Sequence, residues 1–211
     1  MDLSSRCAFE NRDIPSIVIR CVQEVELRGM DVEGVYRKSG GSGQVNGVRA
    51  GFEKNEDYDI SDPELEIHAV TSCLKQYFRR LPVPLITFDV YDTVLEAARA
   101  EDGEKRAKMM RDAVEKLPKA HRDCLEFLIF HLARVTSHER DNLVGFLFLN
   151  LAGIYTNITG LQMTPLNLAV VFAPTIMRPS TIEREMMDMQ IQRQAVQSLL
   201  ELNKAIFESA A

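Results

Sequence analysis

The chain has 211 residues, 45% of them hydrophobic and 27% charged, with a formal net charge of −6. That is enough for a single domain with a substantial core. The acidic balance argues against a general binder of nucleic acid or anionic membrane, whose affinity would come from excess Lys and Arg.

Met1 to Asn11 has neither an apolar signal-peptide core nor an Arg-rich amphipathic stretch, so a cytoplasmic location is expected. From Ile14 to Arg28, Ile14, Ile17, Val18, Cys21, Val22 and Val25 recur at three and four, with Arg20, Gln23, Glu24 and Glu26 facing away; Gly29 ends this predicted helix. Met30 to Gly43 has no period and reads as a glycine-rich loop. A helix over about Gln44 to Lys54 would bury Val45, Val48 and Phe52. The acidic turn Glu56 to Asp62 leads to Pro63, with Asp62 as the expected N-cap of a helix reaching Arg80; Ile67, Val70, Leu74 and Phe78 would point inward. Leu81-Pro82-Val83-Pro84 stops that helix. Further helices are expected near Val90 to Ala100, Glu104 to Leu117 and Ala120 to Val135. Another starts at Thr164-Pro165 and runs to Pro174, and a last one spans Ile182 to Phe207. The class predicted is all-α, one domain over residues 1–211 with its core from about 14 to 207.

Leu143 to Leu161 is almost uncharged and rich in Leu, Phe, Ile and Gly. Asn150, Thr156, Asn157 and Thr159 interrupt it, which favours a buried helix over a membrane span.

Several chemical signals fail on inspection. Gly41-x-Gly43 with Gly47 lacks the spacing and strand context of a dinucleotide turn, and no phosphate-binding G-x-x-x-x-G-K-[ST] loop is present. Asp57, Asp59, Asp62 and Glu64 lack the glycine turn and terminal glutamate of a calcium loop, so a solvated capping turn explains them better. Cys7, Cys21, Cys73 and Cys124 form no Cys-x-x-Cys pair and read as free, partly buried thiols. His68, His121, His131 and His138 have no metal-ligand spacing and read as surface or partly buried polar residues. What remains is basic: Arg37 in the glycine-rich loop, and Lys75 and Arg79 at i and i+4 on the following helix. Like charges on adjacent turns mildly destabilise a helix. Either they simply solvate its face, or they meet an anionic or acidic partner.

At these residues the chain resembles the Rho GTPase-activating (RhoGAP) domain family. Glu33-Gly34-Val35-Tyr36-Arg37-Lys38-Ser39-Gly40 is similar to its arginine loop, and Leu74-Lys75-Gln76-Tyr77-Phe78-Arg79-Arg80-Leu81-Pro82-Val83-Pro84-Leu85 to its L-K-x-[FY]-[LF]-R-x-L-P-x-P-L segment. Asn167-Leu168-Ala169-Val170-Val171-Phe172-Ala173-Pro174 is similar to its N-L-A-[IV]-V-F-[GA]-P helix, and Leu117-Pro118 through His121 to His131-Leu132 also matches in order. The resemblance implies a helical bundle whose arginine loop, Lys/Arg helix and Asn helix meet at one face. It implies that Arg37 is an arginine finger inserted into the nucleotide site of a GTP-bound Rho/Rac/Cdc42-type small GTPase. It further implies that Arg79 braces the finger loop while Lys75 and Asn167 contact the GTPase switch regions. On this reading the chain is an activator rather than an enzyme. It needs no cofactor of its own, since GTP and Mg²⁺ belong to the partner. It is expected to act as a monomer in the cytoplasm, recruited to the cell cortex through domains of a larger parent protein. The alternative is a catalytically silent binding domain of the same fold.

The chain departs from the family pattern at Leu143 to Leu161. Without that stretch, Asn142 would join Gln162 in the family's register. Either it is a genuine insertion, extending a helix or adding a buried hairpin beside the binding face, or it is not native coding sequence. A genuine insertion could displace Asn142 or Asn167.

Overall fold

The computed structural model describes residues 1–150 and 163–208, and ten helices but no strand occur among them. They are α1 (Leu3–Glu10), α2 (Ser16–Arg28), α3 (Ser42–Lys54), α4 (Ile67–Arg79), α5 (Phe88–Ala98), α6 (Gly103–Val114), α7 (Lys119–Asn150), α8 (Pro165–Ile176), α9 (Ile182–Glu201) and α10 (Asn203–Phe207). The all-α expectation holds. No helix among the described residues is long and apolar enough to cross a membrane.

The apolar periodicities place the core. Val18, Cys21, Val22 and Val25 of α2 are buried, as are Val45, Val48 and Phe52 of α3 and Ile67, Val70, Leu74 and Phe78 of α4. Leu125, Leu128, Ile129, Leu132 and Val135 of α7 join Leu168 and Phe172 of α8 in the same cluster. Helix α4 is central, packing on α2, α3 and α8, and α8 lies along α9. Thr164 caps α8 as its sequence predicts, accepting from the Asn167 N–H at 3.2 Å, with Pro165 at the first helical position.

Some expectations need correcting. Helix α1 is not evident from periodicity because Leu3 and Cys7 alone carry its apolar face. It is made by a strong start, Asp2 accepting from the Ser5 N–H at 2.9 Å, and a left-handed Asn11 at its end. Helix α4 begins at Ile67, not Pro63. The Asp62 carboxylate accepts from the Glu64 N–H at 2.9 Å and closes a separate turn, and extended Glu66 then leads into the helix. The C-terminal helix divides at Leu202 into α9 and α10. Glu24 is buried rather than outward, paired with Arg28 one turn on. All four cysteines are free and buried, more deeply than expected. Of the apolar stretch Leu143 to Leu161, the first part continues α7 to Asn150; residues 151–161 lie outside those described.

Candidate functional site

The loop between α2 and α3 is a series of tight turns. Val32 N–H donates to Gly29 O at 3.1 Å, Val35 N–H to Val32 O at 3.1 Å, and Arg37 and Lys38 N–H both to Gly34 O at 2.9 and 2.8 Å. Such a path requires left-handed backbone angles. Gly34 takes one at φ 69° without penalty, and Tyr36 takes another at φ 67°. For a bulky L-residue that conformation costs about 1–2 kcal/mol, so something must hold Tyr36 there.

Tyr36 is fully buried while Arg37 beside it is exposed. The Tyr36 hydroxyl meets His131 Nε2 of α7 at 2.6 Å, and the His131 Nδ1 lies 2.7 Å from Glu26 Oε1 of α2. Glu26 also accepts from Arg134 Nε at 2.9 Å. The Tyr36 ring stands edge-on to Phe172 of α8, with centroids 5.1 Å apart. Its carbonyl accepts a hydrogen bond from Lys75 Nζ of α4. One residue of the loop is thus tied directly to three helices and, through His131, to a fourth.

The electrostatics assign the protons. The His131 hydrogen bond, supported by Arg134, holds the Glu26 carboxyl below its usual range despite desolvation. Burial pushes His131 below its ordinary 6.5, opposed by Glu26, so the ring is neutral at pH 7. An ionised carboxylate only accepts, so His131 Nδ1 carries the proton and Nε2 receives the Tyr36 O–H. Burial raises the Tyr36 hydroxyl well above its ordinary range, which keeps it a donor. Desolvation also lowers the Lys75 ammonium from its usual range.

Of the residues singled out from sequence, Arg37 and Lys75 meet through the Tyr36 carbonyl. Arg79 is exposed at the end of α4, and its carbonyl accepts from Arg178 at 3.1 Å. The side chain that reaches the loop backbone here is that of Lys75. Asn167 is exposed in the first turn of α8, about 7.5 Å along the axis from Phe172. At the far end of the loop Gly40 packs on the start of α4, its N–H donating to Ser72 Oγ at 3.0 Å. A cleft of about 230 Å³ is lined by Arg6, Phe52, Cys73, Gln76, Tyr77 and Leu81. It opens on a different face of α4, with Cys73 and Tyr77 about 160° around the helix from Lys75.

Sequence reasoning missed Tyr36, His131 and Glu26. His121 and His131 are buried, not surface residues; His121 Nδ1 lies 3.0 Å from Leu85 O. The available signal was His131 standing among Leu128, Leu132 and Val135 on an apolar helix face, together with an aromatic residue between Gly34 and Arg37. The acidic residues near Asp57 cap turns, with Asp59 accepting from the Ser61 N–H at 3.0 Å.

The RhoGAP domain family model matches residues 15–181. Beta-chimaerin of Rattus norvegicus is 35% identical over 211 residues, covering 98% of this chain and 65% of that protein, so the chain spans less than two thirds of that relative. The structure of human Rho GTPase activating protein 15 superposes with a TM-score of 0.84 at 29% identity, covering 98% of this chain and 90% of that one. The BH domain of GRAF, the GTPase regulator associated with focal adhesion kinase, gives 0.75 at 31% identity, covering 92% and 94%.

Proposed function

Because the chain belongs to the RhoGAP domain family, we propose that it activates GTP hydrolysis by a Rho-family small GTPase, supplying Arg37 in trans as an arginine finger. The observation that carries this is the contrast at one peptide unit: Tyr36 is 0% exposed and tied directly to three helices, while Arg37 next to it stands in solvent. A catalytic side chain delivered to another protein needs that combination of an immobile base and an accessible head.

In such a complex the partner provides GTP, Mg²⁺ and the attacking water, and this chain turns over nothing itself. The guanidinium of Arg37 would neutralise charge developing on the β- and γ-phosphate oxygens. A finger of this kind contributes roughly 10³–10⁵ in rate, or about 4–7 kcal/mol of barrier. A lysine there would be a poor replacement, because only the planar fork reaches two oxygens together. Lys75, Arg79 and Asn167 are assigned to partner binding: Lys75 and Arg79 stand on α4 and Asn167 on α8, and these helices pack on each other next to the loop.

Single-turnover GTP hydrolysis by preloaded Rho, Rac and Cdc42 proteins tests the assignment. The intact chain should accelerate at least one of them. Arg37→Ala should lose about 10³-fold or more of that rate and still bind the partner loaded with a non-hydrolysable analogue. Binding by the intact chain without acceleration would instead identify a silent domain of the same fold.

A further inference from the structure

We propose that Tyr36 and His131 are positioning residues for Arg37, acting as a hydrogen-bonded relay that is buried at Tyr36 and His131 and ends on partly exposed Glu26, and that fixes the direction in which the arginine leaves the loop. The proposal rests on the arginine-finger reading and extends it to residues that would not touch the partner.

The geometry leaves little freedom at the base of the loop. A φ of 67° at Tyr36 reverses the chain locally, so the tyrosine enters the core as the next residue leaves it. Released from its anchors, a tyrosine would relax toward ordinary right-handed or extended angles, and Arg37 would turn with the peptide that joins them. The ring is held edge-on by Phe172 at 5.1 Å, but an aromatic edge contact restrains position more than rotation. The hydroxyl supplies the directional restraint. It lies 2.6 Å from His131 Nε2, and the histidine, itself 0% exposed, cannot swing because Glu26 Oε1 holds its other nitrogen at 2.7 Å. Glu26 is fixed in turn by Arg134. The Tyr36 hydroxyl and each His131 nitrogen have a partner of the matching kind, and Glu26 Oε1 accepts from both His131 and Arg134, so the ring tautomer and the loop geometry determine each other.

A structural alternative is that the relay merely satisfies polar groups in the core. The two differ in what changes when the hydroxyl is removed. Tyr36→Phe deletes one oxygen and keeps the ring against Phe172. If the relay aims the arginine, the maximal single-turnover rate at saturating chain falls by about 10–100-fold, the loss expected of a misplacement near 1 Å. The half-saturating concentration stays within about twofold, since the binding surface is untouched. His131→Phe should give the same separation.

Two measurements on the uncomplexed protein accompany the kinetics. The ¹⁵N shifts of His131 should show an unprotonated Nε2 at pH 7, and amide exchange at Arg37 and Lys38 should quicken in Tyr36→Phe relative to amides of α7. Unchanged exchange at those amides overturns the relay whatever the kinetics show. A wild-type maximal rate in Tyr36→Phe, or a loss confined to half-saturation, overturns the positioning role. Should Arg37→Ala accelerate as well as wild type, the finger reading fails and the positioning role with it. That outcome is recognised in its own arm, before any Tyr36 variant is considered.

Discussion

Gly40 offers the sharpest stability test of how the loop is mounted. A Cβ built there would lie 2.3 Å from both Ala69 Cα and Ala69 N, and 2.6 Å from the His68 carbonyl carbon. These are backbone atoms in the first turn of α4, and Ala69 is 0% exposed, so no side chain can swing aside. Ordinary contact begins near 3.4 Å, so the loop and helix must separate by 3.4 − 2.3 = 1.1 Å. The Gly40 N–H bond to Ser72 Oγ, now 3.0 Å, would then stretch toward breaking. Overpacking of a well-filled site costs about 1–3 kcal/mol and a lost hydrogen bond about 0.5–1.5, so Gly40→Ala should destabilise by about 2–4 kcal/mol. For a chain this long that is a fall in Tm of about 4–16 °C. Gly43 and Gly47 are the internal controls. Both lie in α3 with no heavy atom within 4 Å of a built Cβ, so Gly43→Ala and Gly47→Ala should each stabilise by about 0.5–1 kcal/mol. Urea unfolding of the three variants reads all of this directly. A Gly40→Ala midpoint indistinguishable from wild type, or one shifted upward with the controls, would refute the close approach of loop and helix.

Two further outcomes follow from the titratable groups. His131 is depressed by burial from its ordinary 6.5 and Glu26 lies below its ordinary 4.5, so in both cases the unfolded chain binds more protons than the folded one as pH falls. Stability should therefore be full above about pH 6.5, decline below it as His131 contributes, and decline more steeply below about 4.5 as Glu26 joins. Urea midpoints between pH 8 and 4 check this, and His131→Gln should flatten the upper part of the decline; an unchanged slope in that variant argues against His131 as its source. Cys7 and Cys124 should be inert in the folded protein. Both are buried and raised chiefly by desolvation, whereas Cys73, which lines the cleft, is lowered by its hydrogen bond with Cys21. A disulfide reagent at pH 8 should label Cys7 and Cys124 slowly in buffer and fully in urea, whereas rapid reaction of either in buffer would contradict its burial.

Periodicity found the core because burial is what creates periodicity. Val45, Val48 and Phe52, or Leu125, Leu128, Ile129 and Leu132, are apolar at helical spacing for the same reason that they are buried. Thr164-Pro165 was legible as a helix start because capping is a local event, settled within four residues. The failures are non-local or too short. Helix α1 has only eight residues and a two-residue apolar face, too little for a period to register. Pro63 carried the right local signal for a helix start, yet the chain made a single turn there and began α4 four residues later. The motif residues Arg37, Lys75, Arg79 and Asn167 could be marked by resemblance. The contacts that hold the loop at Tyr36 could not, because the Tyr36–His131 bond spans 95 residues and His131–Glu26 spans 105. A polar pair so distant in sequence leaves no spacing to read; the place of His131 on an apolar helix face hints at burial but not at its partner.

The described residues on either side of the apolar stretch Leu143 to Leu161 converge on the same loop residue. The family match runs across it, from residue 15 to 181, and a solved family structure superposes over 98% of the chain. The groups that fix Tyr36 fall on both sides of it: Glu26, Lys75 and His131 before, Phe172 after. Val135 ahead of the stretch and Met163 beyond it are buried in the same core. Helix α7 presents His131 about two turns after Cys124, well before Leu143, and Thr164 caps α8 beyond the stretch. A bundle whose two flanks return to one tyrosine is closed through its core.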